Sequence, residues 1–445
     1  MLVQIVDAVE HRTPDGIAAA ISRLIRSGAL AAGERLPTVR VVASELGVSP
    51  ATVSNAWQAL AGVGLITSRG RAGSFVLQAS TAWMPPHFGE LAGSHVEARL
   101  DLSTGTPDPE LLPDLSAAFR SLPTRADTAS YLSSPVLPEL ERHLRASWPY
   151  PVPALTIVDG ALDAVSRALE SIVRFGDRVV VENPGFPPFL DLLEHFGVER
   201  VPVDIDAEGM RPDRLAAALA SHPVAIILQP RAHNPTGISM TEGRMREIAR
   251  VLRSHSHLGD PVVIEDDHSG EISSAPAFSV GNWLPQRTLH VRSFAKSHGP
   301  DLRIAALGAP DQLLDRIVAR RMLGPGWTSR MLQTILYELL TASPSLTTVH
   351  DARRIYQARQ RRLSEALVRH GIEHSPSDGI NTWVPVADEK AATVALAAGG
   401  IRVAAGSTFS SSFAPEPEQH VRVTAGNVRD DFDRIAGLLA GAARA

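Results

Sequence analysis

The sequence contains no cysteine. No disulfide or thiolate metal site can hold any part of it together, which suits a reducing compartment. Lysine is nearly absent too: of 43 basic residues only Lys296 and Lys390 are lysine. Charges almost cancel, at −5 over 445 residues, so no whole-chain basic field draws the protein to nucleic acid or an anionic membrane, and any contact with DNA has to be local. No apolar run approaches bilayer length, and the segment Met1 to Glu10 is too short and too acidic for a signal peptide. These absences predict a cytoplasmic protein with no membrane partner, long enough for more than one domain.

Scarcity makes the two lysines informative. Arginine stays protonated and cannot form an imine, whereas lysine can lose its proton and attack a carbonyl. Lys390 follows Asp388 and Glu389 at a predicted helix start and reads as a surface residue. Lys296 stands in Ser293-Phe-Ala-Lys296-Ser-His-Gly-Pro-Asp-Leu-Arg303, after the strand-like stretch 288–292.

Residues 1–78 read as one small module. Ile17, Ile21, Leu24 and Ile25 recur at helical spacing up to Ser27-Gly28. Thr38 is placed to cap a short helix that Gly47 ends, and Ser49, followed by Pro50, caps a second with Val53, Trp57 and Leu60 as its apolar stripe. Two short strands, 65–67 and 74–77, flank the basic tip Ser68-Arg-Gly-Arg-Ala-Gly73. Helix, turn, helix and hairpin predict an α+β winged helix-turn-helix. Its polar second helix carries Ser49, Thr52 and Ser54, its wing Arg69, Gly70 and Arg71, and the preceding helix Arg40, a set suited to double-stranded DNA. The module resembles the GntR-type winged helix through Gly33-Glu-Arg-Leu-Pro-Thr-Val-Arg40, Leu46-Gly-Val-Ser-Pro-Ala-Thr-Val53 and Gly64-Leu-Ile-Thr-Ser-Arg-Gly-Arg-Ala-Gly-Ser-Phe75. The resemblance implies operator contacts from Arg40, Ser49, Thr52, Ser54 and the wing from Arg69 to Arg71. Pro50 replaces an arginine frequent in that family, so the operator sequence does not carry over. Residues 79–100 hold Pro85-Pro86, lack periodicity and read as a linker; the apolar Trp83, Met84 and Phe88 predict that part of it docks on a domain surface.

From residue 101 to 445 helices alternate with β-branched runs at 178–182, 224–228, 261–265 and 289–292, a pattern for a mainly parallel α/β sheet with its chemistry at the strand ends. There stand Gln229-Pro-Arg-Ala-His-Asn234-Pro-Thr-Gly237, Glu265-Asp266-Asp267-His268 and Ser293-Phe-Ala-Lys296. A lysine for the imine, a carboxylate for a ring nitrogen, a donor for a ring oxygen and phosphate ligands are what pyridoxal 5′-phosphate requires. Lys296 suits the first role and the acidic pair Asp266-Asp267 the second. Ser293, Arg303 and the amides of Gly160, Ala161 and Leu162 at a helix start suit the phosphate. This region resembles fold-type I pyridoxal phosphate enzymes of the aspartate aminotransferase class, with a smaller C-terminal α+β subdomain. The resemblance implies Lys296 as the imine lysine, Asp266 facing the ring nitrogen, Asn234 near the ring hydroxyl, Phe186 as the stacking aromatic, Tyr131 as the tyrosine that reaches a phosphate across a homodimer, and Arg422 as the grip on an effector carboxylate. His268 stands where a tyrosine usually contacts the ring oxygen; it is expected to donate there and to titrate near neutrality. Leu162 replaces a common polar residue.

A winged helix joined to such a domain resembles the MocR-type regulators. The expected function is a transcriptional regulator that senses pyridoxal phosphate, an amino acid or an amine through imine exchange at Lys296, without sustained turnover and without a metal. A working aminotransferase with an accessory DNA-binding module is the competing expectation.

Overall fold

The computed structural model describes residues 1–62, 65–68, 73–77, 84–92, 98–122, 130, 133–373, 377–412 and 418–444. They form two compact units: Met1–Pro85 with Arg174–Gly176 and Asp191–Glu199, and Pro86–Val173 with Asp177–Leu190 and Arg200–Ala445. Among the described residues no helix is long and apolar enough to cross a membrane.

The first unit contains α1 (Leu2–Ala8), α2 (Pro14–Arg26), α3 (Val39–Leu46), α4 (Pro50–Gly62) and the antiparallel strands β1 (Ile66–Ser68) and β2 (Ser74–Val76). α2, α3 and α4 start where short polar side chains can satisfy the first free amides. Thr13 accepts from the Gly16 amide at 3.1 Å, Thr38 from Val41 at 3.4 Å and Ser49 from Thr52 at 3.1 Å. Gly47 closes α3 in the left-handed conformation, at φ 65°, and so makes the turn into α4. The apolar stripes meet in one core of Ile17, Ile21, Val42, Leu46, Val53, Trp57, Leu60, Ile66 and Val76. Helix α1 has no counterpart in the sequence reading. Seven residues are too few for a helical period to show, and its place is fixed by the burial of Ile5 in that core.

The second unit is built on an eight-stranded sheet. Its strands are β4 (Ala154–Val158), β5 (Arg178–Asn183), β6 (Glu199–Asp206), β7 (Gly209–Met210), β8 (Ala225–Leu228), β9 (Val262–Asp267), β10 (Thr288–Ser293) and β11 (Ala305–Ala309), in the order β4-β11-β10-β9-β8-β5-β6-β7. The run β5, β8, β9, β10 is parallel, so all four carboxyl ends open on the same edge of the sheet. These are the β-branched runs that the sequence marks as strands. β11 is antiparallel to both β10 and β4, and its sequence, Ala-Ala-Leu-Gly-Ala, has little strand propensity. Burial selects it instead: all five residues are buried, and a side chain at Gly308 would meet Trp148 and Val152 at 2.7 Å.

A smaller antiparallel sheet follows, of β12 (Thr382–Val386), β14 (Ala404–Ala405) and β15 (Gln419–Val423), while β13 (Ile401–Arg402) pairs in parallel with β3 (Leu100–Asp101). One face of the sheet packs Val384, Val421 and Val423 against Leu363, Leu367, Ile435 and Leu439 from the helices Ser343–Arg369 and Phe432–Ala443. The other face carries Trp383 and, across from it, Arg422, and strand alternation alone puts that arginine opposite the core. Inside the predicted linker, the helix Pro86–Ala92 lies against the turn Gly406–Phe409. Trp83 lies outside the described residues.

Candidate cofactor site

Each parallel strand delivers polar residues to the shared edge, and Gln229 ties them together. From the end of β8 its Nε2 donates to Asp266 Oδ2 at 2.8 Å, its Oε1 accepts from the Asn234 amide at 2.8 Å, and its own amide donates to Glu182 Oε2 at 2.8 Å. This buried hub was not singled out in the sequence. The only available signal was its place, first after a strand and five residues before Asn234.

Asp266, on β9, is buried, and burial drives its carboxyl up to about 7; the Gln229 hydrogen bond opposes the rise, and the nearby acids Asp267 and Glu182 add to it. Its second oxygen, Oδ1, has no hydrogen-bond partner among the described residues. A buried acceptor left open needs an explanation, and a protonated ring nitrogen would supply the missing donor. Asp267 differs although it is adjacent. Burial alone would raise it, but Arg231 holds it with two hydrogen bonds, at 2.5 and 3.2 Å, and keeps its carboxyl below the usual range.

Lys296 sits in the four-residue helix Ala295–His298 that follows β10, and its Nζ donates to the Gly105 carbonyl. Burial, then the charge of Arg422, lowers the amine to about 8. The fraction of free amine, the form that attacks an aldehyde, therefore rises steeply from pH 7 to 9. The rate at which apoprotein takes up pyridoxal phosphate should rise through about pH 8, as followed by stopped-flow absorbance. A rate flat over that range would contradict the lowered amine.

Arg422 is 1 % exposed. Nη1 donates to Asn234 Oδ1 at 3.0 Å, Nη2 donates to the Ser103 carbonyl, and Nε has no partner among the described residues. The guanidinium lies over the Phe409 ring. Burial, partly offset by Asp101, lowers it to about 9, and no carboxylate pairs with it among the described residues. Gly105 has to be glycine here, because a Cβ would stand 3.1 Å from Arg422 Nη1.

Of the residues expected to hold a phosphate, Gly160 and Arg303 lie together. Gly160, at φ 106°, begins the helix Ala161–Ile172 without a side-chain cap, leaving the first amides open. A Cβ on Gly160 would lie 3.2 Å from Arg303 Nη2, so the absent side chain makes room for that guanidinium. Arg303 itself adopts a left-handed backbone, φ 45°, which arginine rarely does. Ser293 is buried at the end of β10. Phe186 follows β5, edge-on to Phe189 at 5.3 Å, and lines the same small cavity as Gln229 and Glu182.

His268 departs from expectation. Its Nε2 donates to the Ala232 carbonyl at 3.0 Å, so that donor is already engaged. It does not titrate near neutrality either, because burial, reinforced by the charge of Lys296, pushes it down to about 3 and leaves it neutral at physiological pH. Tyr131 lies outside the described residues, as do Arg69, Gly70 and Arg71. Of the other residues expected to contact DNA, Arg40 and Ser49 are exposed, and Thr52 and Ser54 are half-buried.

Residues 98–437 match the aminotransferase class I and II family, and residues 13–76 match the gntR family of bacterial regulatory proteins. The chain is a MocR-type regulator. It is 36 % identical to the vitamin B6 salvage pathway transcriptional repressor PtsJ of Salmonella typhimurium, over 95 % of this chain and 96 % of that protein. An uncharacterized HTH-type transcriptional regulator of Escherichia coli, YjiR, is 27 % identical over 89 % of this chain and 91 % of its own length. The fold of this MocR-type chain is that of solved aminotransferases. The α-aminoadipate aminotransferase LysN of Thermus thermophilus superposes with a TM-score of 0.69 at 22 % identity, covering 86 % of this chain and 97 % of that one. Pyridoxal phosphate is the cofactor of the aminotransferase-type domain. The open Asp266 oxygen, the lowered lysine and the Gly160–Arg303 cradle fit it.

Proposed function

We propose that this regulator binds a duplex operator through its winged helix, and that pyridoxal phosphate and an amino compound, together at Lys296, set how well it does so. One observation carries the reading: a single chain joins a helix-turn-helix carrying exposed Arg40 and Ser49 to a buried lysine–carboxylate site whose Asp266 Oδ1 has no partner among the described residues. PtsJ, named for repression of vitamin B6 salvage, supports the link between cofactor and transcription.

When bound, pyridoxal phosphate supplies an aldehyde for amines and a ring that accepts electrons. The protein's residues do the rest. Lys296, with its amine lowered to about 8, can hold or release a proton at Nζ near physiological pH and would hold the aldehyde. Asp266 keeps a ring nitrogen protonated through its open oxygen, and Gln229 fixes that carboxylate's orientation. Ser293, Arg303 and the amides of Gly160, Ala161 and Leu162 would hold the phosphate, Phe186 would stack on the ring, and Asn234 would hold the ring hydroxyl. The Arg422 guanidinium, buried without a counter-charge, takes an effector carboxylate in exchange for Asn234 and Ser103. An effector shifts DNA binding only to the extent that it binds two conformations with different affinity.

A homodimer with Tyr131 reaching across suits paired half-sites. We assign residues 1–78 to DNA, 79–100 to the linker and 101–445 to the effector domain, Arg40, Ser49, Thr52, Ser54 and the wing 69–71 to operator contact, and the whole to the cytoplasm. Arg40→Ala should weaken operator binding at least tenfold in an electrophoretic shift assay and leave the absorbance of the bound cofactor intact. Joint loss of both signals would contradict this division.

A further inference from the structure

Arginines throughout the second unit are mostly occupied. Arg231 pairs with Asp267, Arg244 with Asp206, Arg287 with Asp260, Arg321 with Asp159 and Arg359 with Asp108. Within Met1–Pro85 the pattern reverses. Arg23 is engaged, donating to the Ala8 carbonyl at 3.2 Å and lying 3.7 Å from Glu10. Arg12, Arg35 and Arg40 are exposed and form no hydrogen bond or ion pair among the described residues.

Their places are defined. Arg40 is the second residue of α3. Arg12 Nη1 lies 3.8 Å from where a Cβ on Gly47 would stand, which puts it at the turn that enters α4. Arg40 and that turn are separated by seven helical positions, roughly 10 Å at 1.5 Å per residue. Arg35 bridges to Phe75 of β2, and its Nε would be 2.8 Å from a Cβ on Gly73, at the foot of the hairpin that follows α4.

We infer that Arg12 and Arg35 are two further phosphate-contact residues for duplex DNA, one at the turn into α4 and the other at the base of the wing. This rests on the DNA-binding reading above. Neither residue belongs to α4, so neither is placed to read base edges; their contribution is to bind backbone phosphate and fix the docking register. Arginine suits that task because its planar fork meets phosphate oxygens two at a time. Each phosphate neutralised releases condensed counterions, so the contribution appears as salt dependence.

The test uses the full-length protein and a mixed-sequence 40-base-pair duplex, with affinity measured by fluorescence anisotropy between 50 and 200 mM salt. Arg12→Gln and Arg35→Gln should each make the slope of log affinity against log salt shallower by about 0.9 per arginine lost from the bound protein. The double variant should add the two changes, Arg35→Lys should keep the wild-type slope, and cofactor absorbance should not move. Arg12 also sits where a cation would stabilise the carboxyl end of α3. If that were its role, Arg12→Gln would lower the melting temperature and leave the salt slope unchanged, and the proposal would be overturned. A wild-type protein that shows no salt-dependent binding would instead sink the DNA-binding reading itself.

Discussion

Borohydride reduction of the protein loaded with pyridoxal phosphate will fix the cofactor to one residue, Lys296, in the peptide from Ser293 to Arg303, and Lys296→Ala will retain no label. The chain offers only one alternative amine side chain, and the two sites differ physically. Lys296 is enclosed, and burial with the Arg422 charge lowers its amine to about 8. Lys390 is exposed beside Asp388 and Glu389. Lys296 is held by one hydrogen bond, to Gly105, and is half-buried. Its removal should leave the urea unfolding midpoint within experimental error while the label disappears. Label on Lys390, or none on the wild-type protein, would refute the assignment.

Arg231→Ala should cost about 3–5 kcal/mol of stability, because it strands a buried carboxylate. Asp267 is 1 % exposed, and Arg231 supplies both of its closest donors. The pH dependence separates lost charge pairing from lost packing. In the wild type the Asp267 pKa is depressed. Its stabilisation is therefore present above the unfolded carboxylate value, near 4, and lost only as pH falls through the lower folded value. Without Arg231, burial is opposed only by the charges of His290 and Arg292 and raises the folded pKa above the unfolded one, so the sign reverses and stability declines as pH rises from about 4. The gap between variant and wild type should accordingly widen from pH 5 to pH 8 in urea titrations. A gap under 1 kcal/mol, or one constant with pH, would mean that Arg231 acts mainly through packing. The variant should also hold cofactor less well, since an unpaired Asp267 disfavours the charged form of its neighbour Asp266.

Much of this molecule was legible because its signals are local. Thr38, Gly47 and Ser49 act on amides and carbonyls within four residues, so the helix-turn-helix could be read from spacing. The parallel strands that carry the chemistry are β-branched, and the polar residues that follow each of them are visible as breaks in an apolar run. Strand β11 and helix α1 were not legible. An Ala-Gly strand and a seven-residue helix have weak intrinsic preferences, and each forms because partners far along the chain bury it.

The sequence by itself determined the two-part plan, the lysine able to form an imine and the order in which lysine, acid and asparagine follow their strands. These depend on residue type and short-range geometry. The tertiary structure decided the state of those groups. Asn234 meets Arg422 across 188 residues and Lys296 meets Gly105 across 191, contacts that no spacing rule anticipates. It moved His268 from a titrating donor to a neutral, engaged one, set Asp266 near 7 while Asp267 beside it stays ionised, and revealed Gln229 as the residue that joins the site. Protonation and orientation depend on burial and on neighbours brought together by folding, and for that reason the chemistry could be named from the sequence but not its charge state.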